Sequence, residues 1–246
     1  MSTDPSTIHP EVTQHILTDT AAALDALIEA VRALPEGAER EPSALPGWTR
    51  GHVLGHVAGN GRAQARQAEH AARGETVEYY DGGPAGRDAE IEADSTLSVA
   101  QHVAALEAVR ERHAVGWPVA GAPLWAAPVA YRNGVLHDCL FAWWRELRIH
   151  SVDALVGIGF DSWDDELCGH LLAWLAPRLP EGVTVAPEPA PTGQAGQADV
   201  AEPTGTVVAG DLRDVVAWLA GREPERAPRA VRNGTEVPLP ELLPWP

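Results

Sequence analysis

An α+β fold is predicted for this chain, with a helical bundle over residues 1–178 and a small α+β domain over residues 179–246. Three observations predict it. Apolar residues recur at steps of three and four in long stretches of the first 156 residues, the period of amphipathic helices. Beyond Pro180 the chain becomes dense in Pro, Gly and Ala and carries short β-branched runs. Near the end, Asn233-Gly234 separates two such runs, which is a hairpin signal.

The first helix is expected over residues 10–34, where Val12, Ile16, Leu24, Leu27, Ile28, Val31 and Leu34 form an apolar face; Pro35 and Gly37 end it. A second helix is expected from Thr49, a candidate N-cap, to about Arg73, with Gly74 as its stop. Residues 75–95 are polar and Gly-rich and read as a long loop or lid. Val99, Val103, Leu106 and Val109 carry a third helix over 97–116. A Pro-rich segment, 117–128, leads to Asn133-Gly134, a tight turn ahead of a Trp-rich fourth helix over 136–156. A fifth helix is expected over 163–178. Strands are expected at Val183–Val185 and at Thr206–Ala209, then a short helix over Leu212–Ala220 and the hairpin 230–232/235–237. No internal repeat is visible. Long helices with antiparallel connections make a bundle, and bundles build metal sites from inward-facing side chains.

Composition narrows the function. Against 35 acidic residues stand 18 basic ones, all arginine, for a net charge of −17. Such a chain is a poor partner for nucleic acid or an anionic membrane. Cys139 and Cys168 are the only cysteines and read as reduced core thiols. The N-terminus lacks a basic region followed by an apolar one, so no signal peptide is expected. The longest uncharged run, Ala114 to Tyr131, is broken by Pro118, Pro123 and Pro128 and cannot be a spanning helix. The sequence therefore reads as a soluble, cytoplasmic protein acting on small molecules. It leaves the oligomeric state open, and a monomer is compatible with it.

Two stretches carry the chemistry. WWRELRIHSVDAL holds Glu146 and His150; GWTRGHVLGHVAGN holds His52 and His56. A spacing of four puts each pair on one face of its helix, one turn apart. Two facing helices could aim imidazoles and a carboxylate at one point, a donor set suited to zinc or a similar divalent ion. Three protein ligands would leave a position open for water or substrate. Glu146 and His150 supply two ligands, and either His52 or His56 could supply the third. His56 lies deeper along the apolar run Val53-Leu54-Gly55-His56-Val57-Ala58, which favours it. The other histidines show no comparable pairing.

The segments LPGWTRGHVLGHVAGN and WWRELRIHSVDA, with the ending V-x-G-D-L…AGR, resemble the mycothiol-dependent maleylpyruvate isomerase family of the DinB-like metalloenzyme superfamily. The likeness runs over nearly the whole chain. It implies a DinB-like four-helix bundle with one divalent metal, usually zinc, held by His56, Glu146 and His150. It further implies mycothiol as the thiol cofactor and an active-site arginine from the C-terminal domain, which falls on Arg222. The competing role for Arg222 is to satisfy carbonyls at a helix end.

The family reaction converts cis maleylpyruvate into trans fumarylpyruvate. A C=C bond rotates only after its π component is lost, and thiolate addition followed by elimination provides that route. A metal that binds sulfur stabilises the thiolate. Arg222 would then stabilise the charge pushed onto a carbonyl or carboxylate. The same device would serve a mycothiol S-transferase acting on an electrophile, in detoxification or specialised metabolism. A non-enzymatic metal-binding or regulatory module is the third reading; retention of all three ligands and of Arg222 favours an enzyme.

Overall fold

The computed structural model describes residues 9–188 and 205–246. Two compact units make up the chain, the first ending at Ile158 and the second starting at Gly159. This division lies earlier than the boundary expected after residue 178. The reason is the helix Asp165–Leu175, which packs on a helix of the second unit. The class is α+β, as the sequence predicts.

The first unit contains α1 (Pro10–Arg32), α2 (Arg50–Ala71), α3 (Gly83–Asp94), α4 (Val99–Gly116) and α5 (Leu136–Asp153). Helix α2 packs on α4 and α5, and α1 packs on the same two, which closes a four-helix core. Leu24, Leu27 and Ile28 of α1 meet Val53, Leu54 and Val57 of α2, Leu106 and Val109 of α4, and Trp143 and Leu147 of α5. Each such side chain, fully buried, contributes roughly 1.5–3 kcal/mol.

The termini follow local chemistry. Thr49 caps α2: its Oγ1 accepts from the His52 N–H at 3.4 Å, and its own N–H donates to His52 Nδ1 at 3.2 Å. At the start of α5 the Asp138 carboxylate accepts from the Val135 N–H at 2.9 Å. The preceding Asn133 takes the left-handed conformation, φ 53°, that a tight turn requires and that Asn tolerates.

Helix α3 occupies part of the segment expected to be a loop. Only Ile91 of its residues is buried, so it lacks the apolar stripe that would announce a helix. Its support comes from glycine. Gly51, Gly55 and Gly59 share one side of α2, and a Cβ on Gly55 would sit 2.8 Å from Asp94 Cβ. Bare backbone lets α3 approach closely. Arg62 of α2 then ties the pair, donating to Glu90 at 3.0 Å and to Asp94 at 2.6 Å.

The second unit holds α6 (Asp165–Leu175), β1 (Val183–Glu188), β2 (Thr206–Asp211), α7 (Leu212–Leu219), β3 (Arg229–Arg232) and β4 (Thr235–Val237). The sheet order is β1-β2-β3-β4, with β1 parallel to β2 and the other pairs antiparallel. Helix α7 buries Leu212, Val215, Val216 and Leu219 and packs on β1 and β2. Asn233 and Gly234, at φ 51° and 74°, form the β3–β4 turn, as the Asn-Gly signal predicts. Of the Pro-rich stretch 180–203, residues 189–203 lie outside the described residues. No described helix is long and apolar enough to cross a membrane.

Candidate metal centre

His56 projects from the second turn of α2 into the bundle and is 5% exposed. Glu146 and His150 lie one turn apart on α5, which packs against it. The three side chains converge: His56 Nε2 is 3.0 Å and His150 Nε2 3.4 Å from the same Glu146 oxygen. One ligand-capable atom from each lies within 4.8 Å of those of the other two. The imidazole rings stand edge to face at 4.5 Å.

His52 stays out of this cluster. Its Nδ1 is held by Thr49 in the helix cap and its ring stacks on Trp48 at 6.0 Å. The first histidine of the pair therefore fixes the start of the helix, and the second faces the carboxylate.

Behind His150 stands a residue the sequence analysis gave no role. His150 Nδ1 lies 2.9 Å from Asp153 Oδ2, and Asp153 is fully buried. A carboxylate on Nδ1 fixes the tautomer and leaves Nε2 facing Glu146 with its lone pair available to a metal. The i,i+3 spacing of His150 and Asp153 was the signal that could have revealed it.

The electrostatics fit a cation. Burial acts to raise the Glu146 carboxyl, but hydrogen bonds from His150 and His56 outweigh it and hold the group well below the usual carboxylate range. Burial likewise acts to lower His150, yet Asp153 and Glu146 overcome it and push the imidazole up to about 9. His56 is lowered, by burial first and then by the charge on His150. Two carboxylates thus hold one extra positive charge among three ligand groups. A divalent ion satisfies the same demand with the donor set that zinc prefers. A third of the Glu146 side chain, 34%, remains accessible, so the carboxylate can be reached from solvent.

Residues 20–155 match the family model described as the mycothiol maleylpyruvate isomerase N-terminal domain. The chain belongs to this family. Its fold is similar to the crystal structure of the mycothiol-dependent maleylpyruvate isomerase, with a TM-score of 0.78 and 25% identity over 95% of this chain and 97% of that one. A mutant of that isomerase matches equally well in fold, with 24% identity over the same shares. No curated protein matches the chain at a significant level.

For a maleylpyruvate isomerase family member, Arg222 is the remaining expected site residue. It follows α7 in the second unit. Its guanidinium donates to the Ala220 carbonyl at 2.6 Å and lies 5.2 Å from the centre of the Trp245 ring. These contacts satisfy a helix end. Neither cysteine is joined in a disulfide; both are buried, and burial pushes the Cys139 thiol up, away from thiolate chemistry.

Proposed function

We propose that this protein is a mycothiol-dependent cis–trans isomerase converting maleylpyruvate to fumarylpyruvate. The observation that carries the reading is the convergence of His56, Glu146 and His150, with Asp153 behind, in a chain of this family. Bound there, a divalent ion such as zinc supplies the Lewis acidity that keeps the thiol of mycothiol as its thiolate at neutral pH.

The chain's own residues do the rest. His56 and His150 offer Nε2 from two helices and, with Glu146, would hold the ion. Glu146 contributes the negative charge, and Asp153 holds the His150 ring in orientation. Thiol and substrate would approach from the solvent-accessible side of Glu146. Arg222 takes the role of stabilising the negative charge that develops on the substrate carbonyl or carboxylate. Its support is the match of Gly221-Arg222 to the family's ending.

The test is conversion of maleylpyruvate by zinc-loaded protein, with and without mycothiol, while thiol concentration is followed in parallel. Turnover that requires mycothiol and leaves it unconsumed is the expected result. Stoichiometric thiol loss with a conjugate as product would replace the isomerase by an S-transferase. Absence of both reactions in a protein holding one metal per chain would leave a binding module.

A further inference from the structure

The α2 face that carries His56 continues through Asn60, Gln64 and Gln67, all of them buried. A buried carboxamide row needs partners. Gln67 is satisfied: its amide donates to the Val77 and Glu78 carbonyls at 3.2 Å each, and its oxygen accepts from the Ala130 N–H at 3.2 Å. These bonds pin the segment that leads into two tyrosines.

Asn60 and Gln64 behave differently. Asn60 Nδ2 donates to the hydroxyls of Tyr79 and Tyr80, 3.2 Å each, and Gln64 Nε2 donates to Tyr79 at 2.5 Å. Asn60 Oδ1 and Gln64 Oε1 have no partner. Turning either amide over would strand an NH2 group instead, with two donors unmet, so the orientation shown is the cheaper one. Its consequence falls on the phenols. Both phenol oxygens already accept, so their protons are left to donate elsewhere. Burial raises the pKa of both hydroxyls and keeps them protonated.

A cation stands beside them. The Arg87 guanidinium of α3 lies over the Tyr80 ring, 6.0 Å from its centre, and interacts with the Tyr80 hydroxyl, while its Nη1 donates to the exposed Asp88 carboxylate at 2.8 Å, a solvent-facing pair that an incoming carboxylate can replace. Its charge also reaches His56. Both phenols lie within electrostatic reach of Glu146. Two phenol hydroxyls, tied to Asn60 one turn along α2 from His56, and a guanidinium beside them thus adjoin the His56–Glu146–His150 cluster, in a chain whose net charge is −17. A group that only accepts hydrogen bonds and carries negative charge completes this wall.

We infer that Tyr79, Tyr80 and Arg87, oriented by Asn60 and Gln64, bind a carboxylate of the substrate, a small unsaturated organic acid. The inference rests on the reading of the adjoining cluster as the reaction centre. Arg87 supplies the charge and Tyr80 the directed donor. Asn60 and Gln64 are positioning residues that act through the phenol oxygens.

The experiment uses zinc-loaded protein and maleate as an unreactive dicarboxylate probe, with binding read by calorimetry. Wild-type protein is expected to bind maleate. Arg87→Gln and Tyr80→Phe are each expected to weaken it about tenfold or more, the range for a charge-assisted hydrogen bond. Zinc content and mycothiol affinity should stay unchanged in both variants. Absence of maleate binding to wild type, or equal binding in wild type and both variants, overturns the inference. Loss of mycothiol affinity with maleate binding intact also overturns it, since the wall would then belong to the thiol cofactor. The proposed activity fails separately: protein that binds maleate through Arg87 and Tyr80 but does not turn over maleylpyruvate keeps the carboxylate site and loses the isomerase. Turnover with an unchanged KM in both variants does the reverse.

Discussion

His150 Nδ1 and the fully buried Asp153 carboxylate stand 2.9 Å apart at the C-terminal end of α5. The loop before α2 is tied to the same place, since the Ala44 N–H donates to the Asp153 carbonyl at 2.9 Å. Asp153 therefore orients His150 with its side chain and a loop with its backbone. In Asp153→Asn the backbone tie survives and the charge on Nδ1 is lost. Zinc affinity should fall by about 10- to 100-fold, the usual effect of removing a partner behind a metal-bound histidine. Competition against a chromophoric chelator reads this directly. Unchanged affinity would reduce Asp153 to a helix-end residue.

Arg222 separates two roles by kinetics. If it stabilises charge on the substrate, Arg222→Gln should lower kcat by about 10²–10³, the range for losing an oxyanion donor, and leave zinc content alone. If it only satisfies the Ala220 carbonyl, the variant should keep its kcat and lose a few tenths to about 1 kcal/mol of stability. Steady-state kinetics beside a urea titration distinguishes the two.

His113 gives the fold a pH dependence of its own. Burial lowers its pKa to about 4, partly opposed by the bond between Nε2 and the Gly61 carbonyl at 2.9 Å. The folded value lies below the unfolded one of 6.5, so the unfolded chain binds the extra proton first as pH falls. The stabilisation is complete above pH 6.5 and is lost between there and about 4. The full loss amounts to about 3 kcal/mol. His113→Gln, which can still donate to Gly61, should show a shallower decline of urea midpoint over this window. Parallel declines would sink the assignment.

Gly55→Ala should destabilise the first unit although alanine is the better helix former. Helix propensity favours the substitution by about 1 kcal/mol. The new Cβ would meet Asp94 Cβ at 2.8 Å, and overpacking of that kind costs about 1–3 kcal/mol. The net is a loss of about 1 kcal/mol, visible as a lower urea midpoint. A raised midpoint would show that α3 is free to move off α2.

Much of this protein is legible in its sequence because the signals are local. The apolar face of α1 from Ile16 to Val31, the Thr49 cap and the Asn233-Gly234 turn depend on neighbours in sequence and fold as predicted, while Val12, counted in that face, is exposed near the helix start. The convergence of His56, Glu146 and His150 was legible for the same reason, as two pairs spaced by one helical turn. The choice between His52 and His56 needed more. Thr49 next to His52 suits a capping box, and the structure puts His52 Nδ1 there. Helix α3 was missed because its support is tertiary: glycines of α2 and the Arg62 ties. Tyr79, Tyr80 and Arg87 were missed with it. Arg87 is placed by that packing and the two tyrosines by the amides of Asn60, Gln64 and Gln67, and no period in the sequence announces them.

The glycine seam between α2 and α3 also acts as a gauge. His56 stands on one helix and Arg87 on the other, and the two helices meet most closely at Gly51, against the Ser95 carbonyl, and at Gly55, against Asp94 and the Ile91 carbonyl. Side chains at such a contact could change rotamer and let the gap breathe; backbone cannot. If Arg87 binds a substrate carboxylate as inferred above, the spacing of the two helices would select the length of acid that fits. Widening that gauge by single methyl groups would retune selectivity at positions that never touch the ligand.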